Sequence, residues 1–245
     1  MTRQRIRIRF SKSGTLRYIG HRDLMRLIER LFRRAGVAPA MSEGFHPKPR
    51  MSFPLALAVG IEGRDEIFEP EIRGFLQNGT LCPFVGSFAE EFVRRTGREP
   101  LRGLVFHEAT DLSPEVRKAS VLSATYQISV PESRSVLADL QVRLAEILAM
   151  SSYPMTRPNR SSVDLRQSLQ SAQLRETVLR DGGPSGPVLE MRFAVTPGAD
   201  AGPRELLTAL GVGDLEQRGF VLVRTSLELD PATDERRGDV YTRST

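Results

Sequence analysis

The chain has 245 residues, 40% hydrophobic and 27% charged, which excludes a wholly disordered polymer and leaves room for one large domain or two ordinary ones. Formal net charge is only +5, and of 35 basic residues just Lys12, Lys48 and Lys118 are lysine, so the placement of charge says more than its total. A single cysteine, Cys82, excludes an internal disulfide and a cysteine cluster for zinc or iron–sulfur. The N-terminus lacks an apolar signal core, and no window reaches about 18 uninterrupted apolar residues. The expectation is a cytoplasmic protein with no membrane span, no metal and no cofactor.

Along residues 4–10, Gln4, Ile6, Ile8 and Phe10 alternate with Arg5, Arg7 and Arg9. Period two predicts a strand with one buried face. Its outward arginines either blunt a sheet edge or face a partner. Leu24, Leu27, Ile28, Leu31, Phe32 and Ala35 form a helical stripe that predicts a helix over 21–36 capped by Gly36. Arg22, Arg26, Arg30, Arg33 and Arg34 fall outside the stripe. The apolar run 51–59 reads as a buried strand, and 66–73 as its hairpin partner, confined to a sheet edge by Pro70. A helix near 83–95 and a strand near 101–108 complete a β-α-β-β-α-β order, the ferredoxin-like arrangement.

The order recurs approximately. A strand is expected at 120–130, a helix at 132–149, and strands at 162–168 and 173–180. A turn at 181–187, a strand at 188–195, a helix at 203–211 and a strand at 219–229 follow. The fold class expected is therefore α+β, two ferredoxin-like halves with antiparallel sheets. The first domain spans 1–110 and carries the basic motif. A linker near 109–118 leads to the second at 118–230, and 231–245 form a flexible tail.

Three constellations carry chemistry. The first, at 10–26, brings a loop with Lys12 and Gly14 through Arg17 to a helix start at His21, followed by Arg22, Asp23 and Arg26. Open N–H groups at a helix start favour an anion, and the basic side chains add charge-assisted bonds to phosphate. Equally, the arginines solvate a helix face and Asp23 neutralises one of them. His21 is the candidate general acid or base; the alternative is packing at the helix start. The second, at 42–53, holds Ser42, Gly44, Phe45, His46, Lys48 and Arg50. Aromatic and basic residues interleaved on an exposed loop suit single-stranded nucleic acid, where bases stack and phosphates pair. The alternative is a loop folded back with Phe45 and Phe53 in the core. The third, V-D-L-R at 163–166, puts Asp164 and Arg166 on one face of a strand, as a structural ion pair or a substrate contact. The acidic cluster Glu62, Asp65, Glu66, Glu69 and Glu71 reads as a solvated strand face rather than a metal site.

Residues 10–26 and 42–60 together resemble a radical-SAM-associated family of uncharacterised bacterial proteins. Lys12, Gly14, His21, Asp23, Arg26, Ser42, Gly44, Phe45, Pro47 and Pro49 match its pattern. Gly20, Arg22, His46 and Lys48 stand where the family has Ser, Leu, Asn and His. The resemblance implies a radical SAM enzyme as partner. Two ferredoxin-like halves with a histidine near the first helix are also similar to RNA-processing proteins of CRISPR systems. The leading expectation is a non-catalytic accessory module that binds RNA or another anionic substrate. Its rivals are a metal-independent ribonuclease or RNA-modifying enzyme using His21, and a docking module for the radical SAM enzyme. A shared site requires 12–26 and 42–50 to line one groove.

Overall fold

The structure, a computed structural model, describes residues 3–77, 80–82, 88–157, 161–177, 186–198 and 200–234. The turn expected at 181–187, the start of the helix at 83–95, the end of the strand at 173–180 and the tail beyond 234 lie partly or wholly outside them. The protein is mixed α+β, with five α-helices among the described residues. It divides into two compact units, one running to Val121 and resuming at Leu229, the other Leu122–Glu228.

The first unit holds β1 (Gln4–Lys12), a 3-10 turn (Gly14–Tyr18), α1 (His21–Arg34), β2 (Val37–Pro39) and β3 (Met51–Ser52). It continues with β4 (Glu62–Gln77), β5 (Thr80–Cys82), α2 (Phe88–Thr96) and β6 (Leu104–Leu112). β1 lies between β4 and β6, antiparallel to both. β4 also pairs antiparallel with β2, β3 and β5. Ile6, Ile8 and Phe10 are buried on one face of β1, and Leu24, Ile28, Leu31 and Phe32 of α1 belong to the same core. Phe68 sits among Phe10, Phe53, Phe92 and Phe106, with ring centroids 5.5, 5.5, 6.4 and 6.1 Å away. Helix α1 stops where expected: Gly36 takes φ 64° just after the cap residue Ala35. That is the left-handed conformation glycine adopts without steric cost.

Three expectations for this unit need correction. The arginines of β1 do not face solvent or a sheet edge, because β1 is a central strand. Arg7 and Arg9 are only 5% exposed, and they meet carboxylates from β4. Pro70 does not confine its strand to an edge, since β4 is paired on more than one side and Pro70 lies opposite Met51. The run 51–59 is not a strand beyond Ser52. Pro54 lies in a bend, and the segment closes on a turn in which the Gly60 N–H donates to the Arg17 carbonyl at 2.8 Å. Only Leu57 of residues 53–59 is fully buried.

The second unit holds β7 (Val121–Ser129), α3 (Arg134–Ala149), β8 (Pro154–Met155), β9 (Val163–Asp164) and α4 (Leu165–Ser168). β10 (Leu169–Thr177), β11 (Gly186–Ala194), α5 (Pro203–Ala209) and β12 (Val223–Leu229) follow, in the strand order β10-β11-β7-β12. Leu140, Leu144 and Ile147 are the buried stripe of α3, and Leu206 and Leu207 that of α5. The strand expected at 162–168 is instead two residues of β9 and one turn of α4. After β12 the chain is held: the Asp230 N–H donates to the Ser120 carbonyl at 2.8 Å, and Thr233 is buried. The start of the segment read as a flexible tail is therefore anchored.

The two phenylalanines Phe68 and Phe45 test the core. Phe68→Ala removes the hub of an aromatic cluster and is expected to cost about 3–5 kcal/mol in urea denaturation. Phe45→Ala, at a fully exposed position, is expected to stay within about 0.5 kcal/mol of the parent.

Candidate anion-binding site

The loop that leaves β1 is the first place where backbone N–H groups and basic side chains gather. Gly14 adopts φ 61°, and its N–H donates to Glu62 Oε1 at 2.8 Å. The same oxygen lies 3.3 Å from the Arg17 guanidinium, which also stacks over the Tyr18 ring at 4.6 Å. The anion that this loop was expected to recruit is thus supplied by the start of β4. Lys12 is 1% exposed and donates from Nζ to the Ile19 carbonyl at 3.3 Å. Arg22 and Arg26 lie on the solvent face of α1, where Arg26 reaches Asp23 at 3.4 Å. Such an exposed pair contributes little.

His21 opens α1 and is half-buried, its ring edge-on to Phe53 at a centroid distance of 4.9 Å. Burial lowers its pKa from the ordinary 6.5, and the Lys12 charge lowers it further. The imidazole is therefore neutral near pH 7.

The second loop is built differently. Ala40 donates to the Glu71 carbonyl at 2.7 Å, Arg50 to Ala40 at 2.7 Å, and Glu71 to Arg50 at 2.9 Å, so both feet of the loop are tied to β4. Higher up, Met41 bridges to Pro49. The Ser42 N–H donates to the Lys48 carbonyl at 2.8 Å, and the Lys48 N–H donates to Ser42 Oγ at 2.9 Å. Gly44 turns the tip at φ 116°. Phe45, His46 and Lys48 are left exposed on a closed frame, Phe45 completely so. The core alternative therefore holds for Phe53, which stacks on Phe68, and fails for Phe45.

Beneath this loop lies a cavity of about 370 Å³, lined by Arg5, Ser42, Lys48, Arg50, Glu69, Glu71 and Lys118 together with Pro49, Met51 and Ser52. No residue of 12–26 lines it. The first segment meets β4 at its first residue, Glu62, and the second meets it at Glu71, inside the strand, while His21 touches Phe53 just beyond β3. This cavity is thus built by the second loop without the first segment. The acidic residues read as a solvated face are the counter-charges of the basic ones. Arg7 reaches Glu69 at 2.8 Å, Arg9 reaches Asp65 at 2.7 Å, and Glu71 lies 3.2 Å from Arg3 and 3.8 Å from Arg50. Among the described residues, no three His, Cys, Asp or Glu side chains form a metal-binding group.

Arg5, Glu69, Glu71 and Lys118 were not singled out as site residues. Lys118 carried one legible signal, as one of three lysines in an arginine-rich chain.

In the second unit, Asp164 and Arg166 do not pair as expected. Asp164 caps α4, its Oδ1 accepting from the N–H groups of Arg166 at 2.8 Å and Tyr153 at 2.9 Å, and its Oδ2 from the Ser152 hydroxyl at 2.6 Å. Those bonds, the Ser152 one foremost, lower its pKa. The Arg166 guanidinium donates instead to the carbonyls of Met150 at 3.0 Å and Leu169 at 3.2 Å. Both residues are occupied holding backbone together.

A family model described as "Uncharacterized protein conserved in bacteria (DUF2344)" matches residues 5–198. The chain belongs to this family. The match covers both loops, the cavity and the first strands of the second unit. No curated protein matches the chain. Two solved structures align over 94% of this chain and 99% of their own, each at 11% identity and a TM-score of 0.23. One is an unknown protein from Galdieria sulphuraria, the other a proposed glycine cleavage system transcriptional repressor. At that score the likeness carries no argument. No described helix is long and apolar enough to cross a membrane.

His21 gives a pH test. In an NMR titration its ring protons are expected to shift with a midpoint below 6.5, and Lys12→Met to raise that midpoint part of the way back. Because folding depresses this pKa, the stability tied to His21 is complete above about pH 6.5 and is lost as pH falls through the folded value.

Proposed function

We propose that the protein is a non-catalytic accessory module that binds single-stranded RNA through the loop at 42–50 and acts in the cytoplasm. One observation carries this reading: Phe45 stands fully exposed on a loop whose feet and frame are hydrogen-bonded, and Ser42, Lys48 and Arg50 of the same loop line a cavity rich in cations. A ring held out on a braced loop offers a flat apolar face on which a base can stack. Exposed Lys48 and His46 flank it. A base stacked on Phe45, with phosphates on Lys48, Arg50 and Lys118, satisfies both the ring and the charges. The radical SAM enzyme implied by the resemblance at residues 9–60 is the proposed recipient of the bound strand. The order β6-β1-β4-β2 in the first unit and β10-β11-β7-β12 in the second supports reading each as a ferredoxin-like half.

A second reading, an RNA-cleaving or RNA-modifying enzyme, is favoured by the neutral, half-buried His21 beside the buried Lys12. It places the chemistry on a different part of the unit from the loop. His21→Ala separates the two: it leaves affinity unchanged for a binding module and abolishes turnover of RNA for an enzyme.

Binding of the purified protein to a short single-stranded RNA is measured across a salt series. With three cations on phosphate, the slope of log affinity against log salt is expected to be about −2, and Lys48→Ala to reduce it by about 0.7. Phe45→Ala is expected to weaken binding by roughly 5- to 150-fold at every salt concentration. An absence of RNA binding at low salt removes the RNA reading.

A further inference from the structure

The cavity under the loop has features that single-stranded RNA passing over the surface does not explain. We infer that it receives the end of an RNA strand, as a terminal phosphomonoester on its ribose; this deepens the RNA reading and rests on it.

Charge comes first. Arg5, Lys48, Arg50 and Lys118 line the cavity together with two carboxylates, Glu69 and Glu71. Each carboxylate also has an arginine outside the lining, Arg7 at 2.8 Å from Glu69 and Arg3 at 3.2 Å from Glu71. The lining is thus in surplus by at least two positive charges. An internal phosphodiester brings one negative charge, whereas a phosphomonoester brings about 1.5 to 2 near neutral pH. The surplus matches a chain end.

The walls point the same way. They come from four separate stretches: β1 through Arg5, the loop with β3, β4 through Glu69 and Glu71, and the segment at Lys118. Residues from two adjacent strands of the sheet, β1 and β4, form part of that lining.

The unmatched polar atoms give the rest. Glu69 is 2% exposed, and its Oε2 faces Arg5 Nε at 4.0 Å; Glu71 Oε2 faces Arg3 Nε at 3.2 Å and Arg50 at 3.8 Å, and neither oxygen accepts a well-aligned hydrogen bond. Arg5 Nε and Arg50 Nε are buried and donate to nothing. These pairs are held by charge without well-aligned hydrogen bonds, so a ligand that offers both acceptors and donors can complete them. Phosphoryl oxygens accept from the arginines, and ribose hydroxyls donate to the glutamates. Bare phosphate meets only the first need. The lysines fit too, since Lys is a compact point charge suited to a phosphate group. Two of the three lysines in the chain, Lys48 and Lys118, stand at this one cavity.

The test uses fluorescence anisotropy with short oligouridines carrying a 5′-phosphate, a 3′-phosphate or hydroxyls at both ends. Inorganic phosphate and uridine monophosphate serve as competitors. One phosphorylated end is expected to bind about 10-fold or more tightly than the hydroxyl ends. That gap is expected to close in Lys118→Ala and to shrink as pH falls through about 6, where the monoester takes up a proton. Phe45→Ala is expected to weaken all three strands alike. Uridine monophosphate is expected to compete, and inorganic phosphate to compete far less. Equal affinity for all three ends overturns the inference and leaves the RNA reading standing. If no strand binds but uridine monophosphate does, and Lys118→Ala abolishes it, the cavity is a free-nucleotide site and the RNA reading falls. Binding of neither overturns both. Lys118 is exposed, so its variant is expected to melt with the parent and serve as a folded control.

Discussion

A central strand must place both of its faces somewhere, and β1 has an apolar face and a cationic one. Burying Arg7 and Arg9 costs more than burial of Ile6 and Ile8 returns, unless carboxylates come with them. β4 supplies those carboxylates at Asp65 and Glu69, at matched positions along its length. The register between β1 and β4 is therefore fixed twice, by apolar packing on one face and by charge pairing on the other. A slip of one residue would turn Arg5, Arg7 and Arg9 toward the aromatic cluster and Ile6, Ile8 and Phe10 toward the carboxylates. The cavity is a by-product of the same pairing, because it opens where Arg5, Glu69 and Glu71 stand at the end of the charged layer.

Much of the first unit was legible. The alternation from Gln4 to Phe10 and the stripe from Leu24 to Phe32 are strong periodic signals, and each gives its element nearly to the residue. What alternation cannot say is whether a polar face is wet. Arg7 in a chain of this composition reads as a surface residue until the acidic strand that covers it is known. The same error arose at Glu66 and Glu69, read as solvated and in fact buried. Each half of the layer looks exposed without the other, and the two are some sixty residues apart in sequence.

The loops were legible as loops, and less so as sites. Residues 42–53 offered two roles for their phenylalanines, and the chain assigns one role to each. Phe53 follows β3 directly and turns inward; Phe45 sits beyond the Ser42–Lys48 closure, where the backbone has already left the sheet. Nothing in the local sequence separates these cases. At Asp164 the spacing to Arg166 suggested an ion pair on a strand, but a carboxylate two residues before a backbone N–H is also a helix cap, and the single turn of α4 takes that option. The motif at 10–26 is held by its own chain, and the one at 42–50 is held out from it.

The bond from the Gly14 N–H to Glu62 joins residues 48 apart in sequence, with Arg17 on the same oxygen. It ties the turn after β1 to the first residue of β4 and so closes a large ring that includes α1. Secreted proteins of small size commonly close such rings with a disulfide. A chain with one cysteine has no covalent option, and here a carboxylate does the topological work of a crosslink. The difference is reversibility. Replacing Glu62 would open the ring without breaking a covalent bond and leave a basic loop free to take an anion from outside.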